Sequence, residues 1–471
     1  MTNKENIKIE LPKDVKYIID TLYSNGYEAY VVGGCVRDSI LGRPIHDWDL
    51  TTNAKPEDII EIFGKVIPTG IKHGTVTIML NNVGYEITTY RIDKNCDGRH
   101  AEVEFCNNLK EDLSRRDFTI NAMAYNEEEG LIDYFGGLED INNRIIRFVG
   151  KTEDRIKEDY LRILRAIRFS KQLGFYIPRC ELNKMYIEID NIEKYVSVER
   201  KRDEFNKILL KLNVKDYNKT FLEDLLYIFG LLELENVNQD NPYHCYDVLR
   251  HTLVSISCVD TLELKLVMLF HDIGKGRCKI TDENGIDHFY GHAKVSKEIA
   301  EKWLTKYKYD NKTKNMILTL IENHDIQFNT TEKFIKKMLN KFGEETFRKL
   351  IKVRKADILA QNPQYTLDRL EKVFKVEKIL DEVIKDNECF QLKDLVVDGY
   401  DMIKLGFKGE EIGKALNLCL KSVMCGLNPN ERLFIINWIN DKILLDTNNI
   451  KGGLNNRFNY WDNVIENYNK C

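Results

Sequence analysis

Near residue 150 the hydrophobic period of this chain changes, and that change limits the fold more than any other feature. Before it, apolar β-branched runs such as AYVVGG, GTVTIML and GYEITTYR read as strands separated by Gly- and Asn-rich turns. PEDIIEIF and LSRRDFTINAMAY interrupt them as helix-like segments, with Pro56 suited to a first helical turn. From about Glu153 onward, apolar residues recur three and four apart almost to the end, the mark of helix after helix. The expected architecture is an α+β head with a small mixed sheet and helices, followed by a long all-α body. Its 471 residues leave room for about three domains.

Composition excludes some classes and leaves others open. Hydrophobic residues make up 43% and charged residues 31%, a globular profile rather than a disordered or membrane one. No apolar run approaches a membrane span, and MTNKENIKIELPKD lacks a hydrophobic signal core, so a cytoplasmic location is expected. The eleven cysteines are scattered without a CxxC pair, as in a reducing compartment. A net charge of −5 does not announce a nucleic-acid binder, although a local basic groove suffices to hold one RNA end.

The densest local signal is VVGGCVRDSILGRPIHDWDL, Val31 to Leu50. At Gly33-Gly34 the missing side chains let backbone N–H groups approach a triphosphate closely. Asp47 and Asp49 flank Trp48; on a strand, the period of two places both carboxylates on one face. Such a pair can hold two Mg²⁺ ions, and Glu86 in GYEITTYR is a candidate third carboxylate on an adjacent strand. A bare DxD, like a bare GG turn, is usually only an exposed turn or strand. The full ordered set, GG-x-V-R-D, then DxD, then RRDFTINAMA at Arg115 to Ala124, is not.

With that set the chain resembles the class II tRNA nucleotidyltransferase and bacterial poly(A) polymerase superfamily over roughly its first 210 residues. The resemblance implies metal-dependent transfer of nucleotides from NTPs. It assigns Gly33, Gly34 and Arg37 to the triphosphate turn, Asp47 and Asp49 to the metal, and Arg115, Arg116 and Asp117 to ribose and phosphate. Guanidinium groups grip phosphate oxygens and a carboxylate accepts from a ribose hydroxyl, so the chemistry agrees. Asp133 to Gly137 matches the next motif, associated with adjustment between head and neck.

KEDYLRILRAIRFSKQLGF reads as one helix with Ile156, Tyr160, Leu164 and Ile167 on its apolar face. Asp159 and Arg162 are then neighbours on its surface, with Arg165 and Arg168 continuing the stripe. On an anonymous helix this is a surface salt bridge. In this order it resembles the family's EDxxR motif, in which such a pair reads the edge of C or A and rejects G and U. Arg165 and Arg168 fit nucleotide binding, RNA phosphate or solvent. SVERKRDEFNKIL, Ser197 to Leu209, resembles the end of the family's neck; its charges fit RNA or a solvated face equally.

PTGIKHGTVTIML, Pro68 to Leu80, and the polar stretch DKNCDGRHAEVEFCNNLKEDL resemble the CCA-adding branch, the latter as its flexible segment. The resemblance therefore implies CTP, ATP and a tRNA 3′ end as partners, without a membrane. The alternatives are a poly(A) polymerase, an enzyme adding only CC or only A, or a phosphohydrolase whose head merely binds RNA.

A second constellation follows: His251, the pair His271-Asp272 in HDIGKG, His292, His324 and Asp357. This ordered set resembles the HD phosphohydrolase superfamily, an all-α fold that binds divalent metal. Imidazole and carboxylate suit such ions, and Lys275 is placed to meet phosphate. The expected division is 1–150 head, 151–215 helical neck, 216–370 HD domain and 371–471 helical tail. The tail fits a tRNA-binding region or a plain packing pair of helices.

Overall fold

The computed structural model describes residues 7–94, 102–212, 219–445 and 453–468. The chain forms two compact units, Met1–Leu232 with Lys306–Lys308, and Glu233–Thr305 with Tyr309–Cys471. Among the described residues no helix is long and apolar enough to cross a membrane. None of the nine described cysteines forms a disulfide.

The first unit opens with α1 (Lys13–Ser24), β1 (Ala29–Val32), α2 (Gly34–Ile40), β2 (Leu50–Thr52) and α3 (Pro56–Phe63). Then come β3 (Val66–Gly70), β4 (Thr75–Leu80), β5 (Val83–Thr89), β6 (Arg91–Lys94), β7 (Glu102–Phe105) and α4 (Leu109–Ser114). The head closes with β8 (Met123–Asn126), β9 (Gly130–Asp133) and α5 (Gly137–Asn143). Seven strands form one sheet in the order β3-β4-β5-β2-β1-β8-β9, mixed because β2 and β5 run parallel. β1 is buried along its whole length, as AYVV demands at the centre of such a sheet. α3 begins at Pro56, as its fixed φ favours, and Asp58 closes a capping box onto Lys55.

One expectation fails in the head. LSRRDFTINAMAY is not one helix: α4 stops at Ser114, and Met123–Asn126 is strand β8. All four β8 residues are buried between β1 and β9, and this pairing overrides the helical propensity of AMA. β6 and β7 form a separate two-stranded ribbon within the polar stretch expected to be flexible; the tip of that stretch, residues 95–101, lies outside the described residues.

The rest of the unit is helical, with α6 (Thr152–Glu158), α7 (Leu161–Leu173), α8 (Arg179–Glu188), α9 (Asn191–Tyr195), α10 (Val198–Lys211) and α11 (Lys219–Phe229). The single helix expected across KEDYLRILRAIRF is broken. Asp159 is extended (φ −156°, ψ 103°) and accepts the Leu161 N–H at 3.1 Å, so it starts α7 instead of continuing α6. Ile156, Tyr160, Leu164 and Ile167 are still all buried.

The second unit contains α12 (Val248–Ser257), α13 (Leu262–Phe270), α14 (Lys275–Cys278), the hairpin β10 (Ile280–Thr281) and β11 (Asp287–His288), α15 (His292–Lys306) and α16 (Asn311–Glu322). It continues with α17 (Glu332–Leu359), α18 (Pro363–Lys385), α19 (Gly399–Lys404), α20 (Glu410–Met424), α21 (Arg432–Ile439) and α22 (Leu454–Tyr468). α17 is kinked at Gly343, where φ is 73°. Gly406 and Gly409 punctuate the chain between α19 and α20 at positive φ, as expected, but Gly413 lies inside α20. The buried faces of α19 to α22 share a core of their own, including Met402, Phe407, Leu418 and Ile435.

Candidate active site and metal centre

Asp47 and Asp49 precede β2 rather than lying within it. The ladder nevertheless extends one residue back, since Val32 N–H donates to Asp49 O at 3.0 Å. Both carboxylates are exposed while Trp48 is half-buried, the alternation an extended chain produces. The parallel register pairs Leu50 with Ile87, which sets Glu86 of β5 beside Asp49. Desolvation pushes the Asp49 carboxyl up, Arg116 opposes it, and the charges of Glu86 and Asp47 add to the rise. Three carboxylates crowded in this way are what a bound cation would relieve.

Beside them opens a cavity of about 440 Å³. Its walls carry Gly33, Gly34, Arg37, Asp49, Arg115, Arg116, Asp117, Asp159, Arg162, Arg165 and Arg168, so every sequence-derived nucleotide residue lines one space. Six arginines face three aspartates, an excess of positive charge suited to a triphosphate. Gly33 has φ 77°, and a Cβ there would come 3.0 Å from Arg116 Nη1, so glycine is required twice over.

Three wall residues escaped the sequence reading. Asn121 accepts from Arg37 Nη1 at 2.6 Å and donates to Asp117 Oδ1 at 3.1 Å. Phe169 packs beneath the guanidinium groups of Arg37, Arg165 and Arg168, whose carbons lie 5.0, 5.5 and 4.1 Å from its ring centroid. Gln172 accepts from Arg168 at 3.2 Å. Behind the wall, fully buried Asp112 of α4 pairs with Arg115 at 2.8 Å and Arg116 at 3.4 Å. Its signal was present in the sequence: a carboxylate three and four residues before a pair of arginines on one helical turn.

Asp117, Asp159 and Arg162 all have partners within the protein. Asp117 is buried and engaged by Arg165 at 2.6 Å, with its other oxygen accepting the Phe118 N–H at 2.8 Å. Asp159 and Arg162 are not joined side chain to side chain. Asp159 receives both Arg200 Nη1 (3.1 Å) and Nη2 (2.7 Å), whereas Arg162 donates to Glu158, the Arg155 carbonyl and the Arg115 carbonyl. The break between α6 and α7 separates them.

In the second unit the six histidines and aspartates singled out above form two triads. His251, His271 and Asp357 bring ligand atoms within 4.8 Å of one another, as do Asp272, His292 and His324. All four imidazoles place Nδ1 against a backbone carbonyl, of Ala360, Met268, Phe289 and Ile321, at 2.7 to 3.0 Å. Carbonyls only accept, so each Nδ1 carries a proton and Nε2 is the ring atom left to face the centre of the cluster. These Nε2 atoms meet in pairs, His251 with His271 at 3.1 Å and His292 with His324 at 3.2 Å. Asp272 spans both triads: Oδ2 lies 3.2 Å from His271 Nε2 and Oδ1 lies 3.3 Å from His292 Nε2. Oδ2 is buried without a hydrogen bond, although the Lys275 ammonium sits 2.7 Å away. Burial works against charge on Asp272, yet His271 and Lys275 hold it well below the usual carboxylate range. Ring nitrogens converging around a shared carboxylate fit divalent cations. His244, also unforeseen, adjoins this centre with its ring 5.4 Å from that of His251. Burial, with Lys275 and His251 nearby, lowers it to about 3.

Comparison with known proteins agrees with this geometry. Residues 29–147 match the Poly A polymerase head domain, and residues 281–439 match tRNA nucleotidyltransferase domain 2. A CCA-adding enzyme of Lactobacillus delbrueckii is 46% identical over 220 residues, 46% of this chain and 55% of that protein. One of Staphylococcus epidermidis is 43% identical over 239 residues, 50% of this chain and 60% of that protein. The match thus spans little more than half the length of these curated relatives. The crystal structure of the Bacillus stearothermophilus CCA-adding enzyme in complex with CTP is 28% identical, covering 92% of this chain and 98% of that one, with a TM-score of 0.68. The Thermotoga maritima CCA-adding enzyme complexed with tRNA, 20% identical at a TM-score of 0.53, shares the fold over 92% of this chain and 96% of its own. Head, motifs and fold agree: residues 29–147 match the Poly A polymerase head, residues 281–439 match tRNA nucleotidyltransferase domain 2, and the chain is similar in fold to CCA-adding enzymes.

Proposed function

We propose that this protein adds CCA to the 3′ end of tRNA, taking its nucleotides from CTP and ATP. The observation that carries the reading is the single cavity joining the Gly33-Gly34 turn, Asp49 and the six arginines. The match to the Poly A polymerase head, residues 29–147, takes in the glycine turn, Asp49, Arg37, Arg115 and Arg116. In this reading the arginines grip the triphosphate, Phe169 keeps three of them in one layer, and Asp112 holds Arg115 and Arg116 in place. Asp47, Asp49 and Glu86 would hold Mg²⁺. Bound there, it supplies charge neutralisation for the entering 3′ oxygen and the departing pyrophosphate. Asp159 and Arg162 present acceptor and donor atoms to the base edge, selecting C and A without a template strand. The four-part division at 150, 215 and 370 belongs to this proposal, with residues 371–471 as the tRNA-binding tail.

The second unit is proposed to be an HD domain holding divalent metal on His251, His271, Asp272, His292, His324 and Asp357. Bound there, the ions would supply Lewis-acid chemistry towards phosphomonoesters or cyclic phosphates. Asp49→Ala separates the two sites. Loss of nucleotide incorporation with intact metal uptake in the second unit supports two independent centres; retained incorporation contradicts the proposed role of Asp49.

A further inference from the structure

The carboxylate of Asp159 lines the nucleotide cavity, but most of its capacity to accept is already occupied. A carboxylate offers about four lone-pair sites. Oδ1 accepts from Arg200 Nη1 and from the Leu161 N–H, both at 3.1 Å, and Oδ2 accepts from Arg200 Nη2 at 2.7 Å. One direction on Oδ2 remains. Arg200 does not line the cavity. It stands on the first turn of α10, where the Ser197 hydroxyl accepts its backbone N–H at 3.5 Å, and reaches Asp159 from that helix.

We propose that Arg200 is a specificity-determining positioning residue: its two-pronged grip on Asp159 leaves one fixed acceptor facing the base. This rests on the reading of Asp159 as a base-contacting group. A single aimed acceptor takes a hydrogen bond from the exocyclic amino group that C and A carry. U and G present a carbonyl oxygen at the corresponding edge position, and two acceptors facing each other cost the unpaired-group penalty. A carboxylate free to rotate evades that clash by turning its lone pairs aside, so discrimination depends on the grip as well as on Asp159. Arg162 is itself anchored elsewhere, by three hydrogen bonds to Glu158 and two carbonyls, and makes none to Asp159 through its side chain. The Arg200–Asp159 pair is about a third exposed, so it adds little to stability and the protein should fold without it.

The test is single-turnover incorporation of CTP, UTP, ATP and GTP, each offered alone, on tRNA ending at the discriminator base and on tRNA ending in CC. Arg200→Ala should lower the preference for C over U, and for A over G, by about tenfold. Arg200→Lys should restore part of it, because one ammonium engages one oxygen but cannot fix both. In an Asp159→Ala background, Arg200→Ala should change selectivity no further. Parallel losses for all four nucleotides in both Arg200 variants would make the residue merely structural and overturn the inference, as would unchanged selectivity. A wild-type chain that adds neither C nor A overturns the proposed function itself, a result distinct from either.

Discussion

His251 and His271 meet Nε2 to Nε2 at 3.1 Å, with each Nδ1 turned to a backbone carbonyl. With Nδ1 so engaged, the two Nε2 atoms are the ones that a divalent cation would take as ligands. Elemental analysis of the dialysed protein is therefore expected to find about two tightly held divalent ions per chain. His271→Ala and Asp272→Ala should each reduce that content, and chelation should lower Tm in the wild type more than in either variant. A protein that retains no metal and shows no metal-dependent Tm contradicts this assignment.

Asp112 makes a second prediction. It has no exposure and neutralises both Arg115 and Arg116. Asp112→Ala leaves two guanidinium groups without their buried partner and should cost about 3–5 kcal/mol of stability. Asp112→Asn keeps the volume and loses the charge. If enough of it folds, KM for the nucleotide should rise at least tenfold, measured as initial rate against CTP concentration.

Gly137 supplies a third, through space rather than charge. A Cβ there would lie 2.3 Å from the Thr119 carbonyl oxygen, too close for any rotamer to relieve. Asp133 accepts the N–H groups of Gly137 and Leu138 at 2.9 Å, fixing the start of α5 against that carbonyl. Gly137→Ala should lower stability by about 1–3 kcal/mol, read as a fall in denaturation midpoint. Gly130→Ala is a useful contrast: φ is 71°, but no atom lies within 4 Å, so only backbone strain is expected.

A fourth concerns pH. Burial opposes charge on Asp117, but Arg165, Asn121 and the Phe118 N–H hold its carboxyl below the usual range. A carboxyl lowered on folding gives stability that is complete above its unfolded value, about 4, and is lost as pH falls through the folded one. Unfolding free energy of the wild type should therefore decline below pH of about 4 more steeply than that of Asp117→Asn. Equal slopes contradict the Asp117–Arg165 linkage.

The head was legible where local chemistry and pairing agree. α3 begins at the proline, and AYVV, GTVTIML and GYEITT are strands. The family resemblance assigned the glycines, Asp49, Asp117, Asp159 and the arginines to one site, and they line one cavity, whereas Asp47 and Glu86 are not among its lining residues. Local pattern misleads where a tertiary contact outweighs propensity. Met123–Asn126 is a strand because β1 and β9 claim it from either side. Asp159 breaks a helix of good periodicity because its side chain caps the next one. Asn121, Phe169 and Arg200 could not be found by spacing, since each acts on residues more than forty positions away or beneath the wall they support.

The most direct test of the central claim uses tRNA ending at the discriminator base, incubated with the full chain and Mg²⁺. CTP and ATP are supplied separately and together, and the products are sequenced at the 3′ end. The proposed function predicts two C residues with CTP alone, a single CCA end with both, and no extension by Asp49→Ala. Unlimited A tailing, addition of A alone to the bare end, or no extension by the wild-type chain contradicts it.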